Sequence, residues 1–302
     1  MSRSRSVWRL RSPTERHGSP VGYDPHMIRG KASYDDLIRW REVAVSICDE
    51  ADALSLAGFR RNLKVSTKSD LTLVTEVDQA IEEMARARLR SEFPGCGIVG
   101  EEEGSEAAAA ELCWYVDPID GTHNFVRGVP IFATLLAVSF QGELQLGVVS
   151  APALHERWVG WRGGGSWRGT QRIAASRVAT IEESQLLYGS RTEDMRSGLV
   201  PGLDATLAEA WRERGFGDFW GYMLVAEGAA EAMMETGAHP WDWAAPLVIV
   251  EEAGGRFTTA TGERTIEGAS AVATNGLIHD ELLRRLATRR PTLEREPDLP
   301  AG

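Results

Sequence analysis

The sequence predicts a layered α/β (α+β) fold, and two observations carry that prediction. Short β-like runs crowd together between residues 97 and 161, whereas helical and β-like stretches alternate from about residue 186 onward. Hairpins first and alternation later imply sheets layered with helices. One domain is expected over 34–287, with sub-domains of about 34–175 and 176–287 that meet near residues 150–180.

Each element has its own warrant. Residues 1–33 are rich in Arg, Ser and Pro and show no periodic apolar face, so a disordered extension is expected. An Arg/Ser-rich, acid-poor start also suits a transit peptide, but no amphipathic helix accompanies it; a solvated tail, or a start at Met27, is the plainer reading. From Tyr34 to Phe59, Leu37, Val43, Ala44, Ile47, Ala51 and Leu54 recur at helical spacing, and Gly58 ends the run. Lys64 to Thr75 alternates like a strand or hairpin, and Gln79 to Phe93 is a second helix stopped by Pro94-Gly95. Strands are expected at Gly97–Val99, Trp114–Val116, Phe132–Phe140, Leu144–Ser150 and Arg157–Trp161. Gly163-Gly164-Gly165 lacks the Lys-Ser/Thr of a phosphate-binding loop and reads as a hairpin tip. In the second half, a strand near Leu186 precedes helices over Leu203–Glu213 and Phe219–Ala230. A strand at Ala232–Met234, a helix over Asp242–Ala253, strands at Arg256–Thr258 and Ser270–Ala273, and a helix over Leu277–Ala287 follow. Residues 288–302 read as a tail.

Charge narrows the function. Of 302 residues, 33 are Lys or Arg and 44 are Asp or Glu, a formal net charge of −11. That balance argues against nucleic-acid binding and against an anionic membrane surface. An acidic enzyme handling phosphorylated metabolites needs compensating positive charge, and a bound metal supplies it most simply. Cys48, Cys96 and Cys113 form no CxxC and no even framework, so a reduced, cytoplasmic protein is expected. The longest apolar stretch, Val129 to Phe140, is too short to span a bilayer.

Acidic side chains gather where strands end. Gly100-Glu101-Glu102-Glu103 follows one expected strand, Asp117-Pro118-Ile119-Asp120-Gly121-Thr122 follows another, and Trp241-Asp242 opens a helix. Taken singly each has a bland explanation: a solvated acidic loop, an Asp-Gly turn, an N-cap. Together they offer the hard oxygen donors that Mg²⁺ takes. Pro118 restricts the turn, so that both aspartates and the Ile119 carbonyl are able to face one point. Two phosphatase chemistries use such a turn. An aspartate nucleophile of the haloacid dehalogenase type is followed by its acid two residues on, whereas Asp117 and Asp120 stand three apart. Metal-activated water needs no covalent intermediate.

The order GEEEG, WYVDPIDGTHNF, PWDWAAPLVIVEEAGG resembles the inositol monophosphatase family of Mg²⁺-dependent, lithium-sensitive phosphatases over roughly Tyr34 to Leu286. The stretches NFVRGVP, GVVSAPAL, GDFWGYMLVAEGA and SAVATNGLIHDE are similar to its histidinol-phosphatase branch. The resemblance implies an αβαβα sandwich of the inositol monophosphatase/fructose-bisphosphatase type, two or three Mg²⁺ per site and a homodimer. It implies that Glu101, Asp117 and the Ile119 carbonyl hold one ion, that Asp117, Asp120 and Asp242 hold a second, and that Glu102 and Asp78 support a third or the water network. It further implies that Thr122, with Glu101, orients the attacking water, and that the Gly121 and Thr122 N–H groups hold phosphate oxygens.

Substrate choice is expected at Asp218, Glu235 and Arg191. A carboxylate at Asp218 gains a charge-assisted bond from a substrate that carries an ammonium and an imidazole, as L-histidinol phosphate does, and gains less from inositol hydroxyls. Its bland alternative is to cap the helix at Phe219. The implied reaction is hydrolysis of L-histidinol phosphate to L-histidinol; inositol 1-phosphate or a broad range of sugar and nucleotide phosphates is the alternative on the same site. A silent metal- or phosphate-binding regulator is the non-enzymatic alternative, and Thr122 argues against it. His123 and Trp220 are noted as neighbours of these positions.

Overall fold

The computed structural model describes residues 32–61, 64–67 and 73–288. The expected disordered extension and C-terminal tail lie outside them, apart from residues 32, 33 and 288. In chain order, α1 (Tyr34–Gly58) leads to the strands β1 (Val65–Thr67) and β2 (Leu73–Thr75), which pair antiparallel, and to α2 (Glu76–Glu92). Then come β3 (Gly97–Gly100), β4 (Gly104–Glu106), β5 (Leu112–Asp120), the short α3 (Thr122–Val126), β6 (Ala133–Phe140), β7 (Glu143–Ala151), β8 (Glu156–Trp161), β9 (Gly165–Arg168) and β10 (Gln171–Ile173). The remainder comprises β11 (Gln185–Tyr188), α4 (Arg191–Ser197), α5 (Leu203–Glu209), β12 (Arg212–Arg214), α6 (Asp218–Ala226), β13 (Ala232–Thr236), α7 (Pro240–Glu252), β14 (Arg256–Thr258), β15 (Ser270–Thr274) and α8 (His279–Ala287).

Two sheets organise these elements. The larger runs β10-β9-β8-β7-β6-β5-β3-β4, antiparallel except for the β3/β5 pair. The smaller runs β12-β11-β13-β15-β14, with β11 parallel to both its neighbours. Strand side chains alternate between faces, and the two faces bury different partners. In β6, Leu136 and Val138 join α1 and α2 residues Ile47, Ala85 and Leu89, whereas Leu135 and Ala137 join α7 residues Leu247 and Val248. In β13, Met233 faces that same α7 layer, and Ala232 and Met234 face Leu203, Leu207, Leu282 and Leu286 of α5 and α8. The order of layers is α1/α2, large sheet, α6/α7, small sheet, α5/α8: an αβαβα sandwich.

Several expectations need correcting. The helix expected over Leu203–Glu213 stops at Glu209, and Arg212–Arg214 instead pairs with β11 as an edge strand. The helix expected to reach Ala230 ends at Ala226. The segment after Tyr188 carries α4, and β4 and β10 extend the large sheet at its two edges. The DPID motif is the end of β5 rather than a turn after it.

Candidate active site

The end of β5 shows why this motif gathers oxygens. Asp117 pairs with Leu135 and Asp120 with Ala133, so three steps on β5 match two on β6 and one residue is extra. Pro118 has no N–H for the ladder and favours such an irregularity. In a regular strand Asp117 and Asp120 would face opposite sides; the bulge aims both into one cleft. Thr134 Oγ1 donates to the Pro118 carbonyl at 2.8 Å and fixes the bulge. Gly121 then turns at φ +81°, in the left-handed region open to glycine, and starts α3.

A cleft of about 170 Å³ opens at this point, lined by Leu73, Glu101, Asp117, Ile119, Asp120, Gly121, Thr122, His123, Asn124, Asp218 and Asp242. Oxygens of Asp117, Asp120 and Asp242 lie within 4.8 Å of one another. Burial raises the Asp117 and Asp120 carboxyls well above the usual carboxylate range; Glu101, Asp120 and Asp242 push Asp117 further, and Asp218 and Asp242 push Asp120. Burial also lifts Asp242 to about 7 despite the His239 N–H bond that opposes it. Asp117 Oδ1 is buried without a hydrogen-bond partner among the described residues. One buried and two half-buried carboxylates that repel one another, the buried one with an unpartnered oxygen, are the donor set a hard divalent cation fits.

Asp242 stands at the third position of α7, which begins at Pro240, two residues before the expected start. Its Oδ2 accepts the His239 N–H at 2.6 Å, so it completes a capping box and still faces the cleft. Asp78 likewise completes a capping box, for α2: its Oδ2 accepts the Thr75 N–H at 2.9 Å, and its Oδ1 lies 3.4 Å from Thr122 Oγ1, behind the cleft lining. Thr122 Oγ1 is 2.9 Å from the Ile119 carbonyl. Burial lifts the Asp78 carboxyl to about 6.

Asp218 does not cap the helix it opens. It sits at φ +56°, and Phe219 N–H donates to Asp120 Oδ2 at 2.6 Å instead. The Asp218 carboxylate turns into the cleft, where Asn124 Nδ2 donates to its Oδ2 at 3.1 Å. Burial raises it, against the pull of the nearby His123 and the Asn124 bond. His123 is exposed at the cleft wall.

Three expected residues lie elsewhere. Glu235 is in β13 behind the cleft, accepting from Tyr222 Oη at 3.0 Å; burial, with Asp218 and Asp242 nearby, lifts it to about 8. Glu102 offers its N–H to Glu82 at 2.7 Å and does not line the cleft. Arg191 pairs with Asp204 at 2.8 Å on the surface, away from the lining residues, because Ser190 caps α4 there. Trp220 packs on Phe216 at 4.9 Å between ring centroids and lines none of the cleft. Sequence reasoning missed Asn124, which carries no local signal. It also missed Glu82 and Arg86, whose spacing of four on the inward face of α2 was the available sign.

The profile of the inositol monophosphatase family matches residues 36–292. The chain belongs to the inositol monophosphatase family. It is 43% identical over 260 residues to the histidinol-phosphatase of Mycobacterium tuberculosis, covering 84% of this chain and 98% of that protein. It is 40% identical over 265 residues to the histidinol-phosphatase of Streptomyces coelicolor, with 84% and 98% covered. Among solved structures, the extragenic suppressor protein SuhB of Bartonella henselae superposes with a TM-score of 0.77 at 28% identity, over 82% of this chain and 98% of that one. With histidinol-phosphatases among its relatives, the chain is a phosphatase of that family.

Proposed function

We propose that this protein is a Mg²⁺-dependent phosphomonoesterase that hydrolyses L-histidinol phosphate to L-histidinol and phosphate. The observation that carries the chemistry is the cleft itself: Asp117, Asp120 and Asp242 with oxygens within 4.8 Å, one of them buried and unpartnered. The choice of substrate rests on Asp218, a further carboxylate added to an already anionic cleft, which a cationic substrate group repays. The histidinol-phosphatases among the relatives support the same choice.

Glu101, Asp117, the Ile119 carbonyl, Asp120 and Asp242 would hold two Mg²⁺, with Asp78, against Thr122, toward the water network or a weaker third. Bound Mg²⁺ supplies charge neutralisation for the phosphoryl group and acidifies water. The chain's own residues do the rest. Thr122 Oγ1 gives its single proton to the Ile119 carbonyl or to Asp78, leaving its lone pairs to orient a water in the cleft beside Glu101. The water oxygen bonds to phosphorus as the ester P–O bond breaks; one proton of that water ends on the departing alkoxide, which leaves as the alcohol, and the other stays with the phosphate. The Gly121 and Thr122 N–H groups would hold phosphate oxygens, which the place of both residues in the cleft lining supports. Asp218, steadied by Asn124, meets the ammonium or imidazole. A cytoplasmic location agrees with three separate, buried, free cysteines, and a homodimer with the family resemblance; among the described residues no helix is long and apolar enough to cross a membrane.

Phosphate release from L-histidinol phosphate and inositol 1-phosphate, side by side with Mg²⁺, tests the reading. A preference of about 100-fold for histidinol phosphate, ~2.7 kcal/mol of transition-state discrimination, is expected. A preference for inositol 1-phosphate would keep the metal site and overturn the role of Asp218.

A further inference from the structure

We infer that Glu82 and Arg86 of α2 are positioning residues that clamp the 100–104 loop and thereby set the strength with which Glu101 helps to hold Mg²⁺; this rests on the proposed metal site. The loop carries three consecutive glutamates, and like charges at that spacing oppose a single conformation. A polar platform beneath it supplies the order. Glu82 Oε2 accepts the Glu102 N–H at 2.7 Å, and Glu82 Oε1 accepts the Glu103 N–H at 2.9 Å. Arg86 Nε donates to the same Oε1 at 2.8 Å, and Arg86 Nη2 donates to the Gly104 carbonyl. Two N–H groups and one carbonyl of a five-residue loop are held by one pair of side chains.

The pair has no solvent: Glu82 is 0% and Arg86 2% exposed. A buried ion pair contributes little net stability compared with apolar residues of similar size, so its presence points to a conformational role. Gly100 fits this reading. A Cβ there would stand 2.4 Å from Glu82 Oε1 and 2.7 Å from Arg86 Nη2, so the loop approaches the platform as closely as a missing side chain allows. Glu101 lies between Gly100 and the two pinned amides, with its own N–H on the Val116 carbonyl at 3.3 Å, and its side chain lines the cleft. With its neighbours fixed on both sides, its direction is fixed before any cation arrives. The same face of α2 carries Asp78 one turn earlier, against Thr122. One helix thus registers the acidic loop and the DPIDGT segment against each other.

The test compares the full-length protein with Glu82→Gln and with the apolar double variant Glu82→Leu/Arg86→Met. Thermal melts are recorded without metal and across a Mg²⁺ titration. The metal-free Tm of the double variant is expected to stay within about 5 °C of the parent, because it removes both charges together, whereas Glu82→Gln strands the buried Arg86 charge and melts lower. The Mg²⁺ concentration giving half of the thermal stabilisation should rise about 10-fold or more, the range expected when a group supporting a metal ligand is lost. Folded variants with the parent's Mg²⁺ midpoint would overturn the clamp. Hydrogen exchange on the metal-free parent needs no variant: the Glu102 and Glu103 amides should be protected, and free exchange there would overturn the inference even if the variants fail to fold. A parent that gains no stability from Mg²⁺ would instead overturn the metal site itself.

Discussion

Asp218 shows at the residue scale how tertiary contacts reassign a side chain. The sequence offers it as the natural cap of α6, yet the Phe219 N–H goes to Asp120, 99 positions away. No local pattern announces that bond, whereas Asp117, Asp120 and Thr122 were legible because their motif is contiguous. Freed from capping, Asp218 holds φ +56°, a conformation that Asn tolerates and Ala resists. Asp218→Asn therefore keeps the backbone and removes only the charge. Its kcat/KM for histidinol phosphate should fall about 10- to 100-fold, the worth of one hydrogen bond to a charged group. With a phosphate ester that carries no cation, the loss should be less than about threefold by the same argument. Equal losses on both substrates would make Asp218 a support for Asp120 rather than a contact for substrate. Arg191 is the converse case: it was expected to take part in substrate choice, but Asp204 is in reach and holds it at the surface.

At the scale of elements, long periodic helices were legible and short edge pieces were not. α1, α2 and α8 have apolar stripes of their own, but β12 exists only because β11 offers it a partner, and a three-residue strand leaves no period to read. Nor was the hydrogen-bonding around α8 legible. His279, fully buried in its first turn, has Nε2 2.9 Å from Thr258 Oγ1 and Nδ1 2.9 Å from Thr274 Oγ1. Thr258 gives its proton to the Thr259 carbonyl, and Thr274 Oγ1 accepts the Gly276 N–H. The consistent arrangement is a neutral imidazole, Nε2–H donating to Thr258 and Nδ1 accepting from Thr274. Burial, with Arg256 nearby outweighing Asp280, pushes its pKa down to about 4. The folded value lies below the unfolded one, so between them the unfolded chain binds more protons. This contribution to stability is complete above roughly pH 6.5, shrinks as pH falls through that value, and is gone by about pH 4. The cleft carboxylates have raised values and the opposite slope. The difference in Tm between the parent and His279→Gln therefore isolates the imidazole: it should narrow steadily from pH 7 to pH 5 in metal-free melts. A constant difference would mean that His279 acts by packing alone.

For the whole molecule, the sandwich matters because no one layer owns the cleft. Asp117, Asp120 and Thr122 come from β5 and the turn after it, Glu101 from the loop after β3, Asp218 from α6 and Asp242 from α7. The layering was foreseeable from alternating hairpins and helices, but the spacing between layers was not, since it depends on where helix backbone meets sheet backbone. That meeting is visible at Gly147 of β7. A Cβ there would lie 2.4 Å from the Ala245 carbonyl oxygen and 2.9 Å from its Cα, against α7 backbone that has no flexible end to move aside. Gly147→Ala must lift α7, whose first turn carries Asp242. The strain should cost about 1–3 kcal/mol, which lowers Tm by several degrees. Leu286→Ala, in the α8 layer on the far side of the small sheet, should destabilise by about 2–5 kcal/mol through a cavity. Only the glycine variant should also raise the Mg²⁺ concentration needed for half-maximal activity, because only it displaces a proposed ligand. Equal Mg²⁺ requirements in the two variants would show that the capping box at His239 positions Asp242 without help from the sheet beneath.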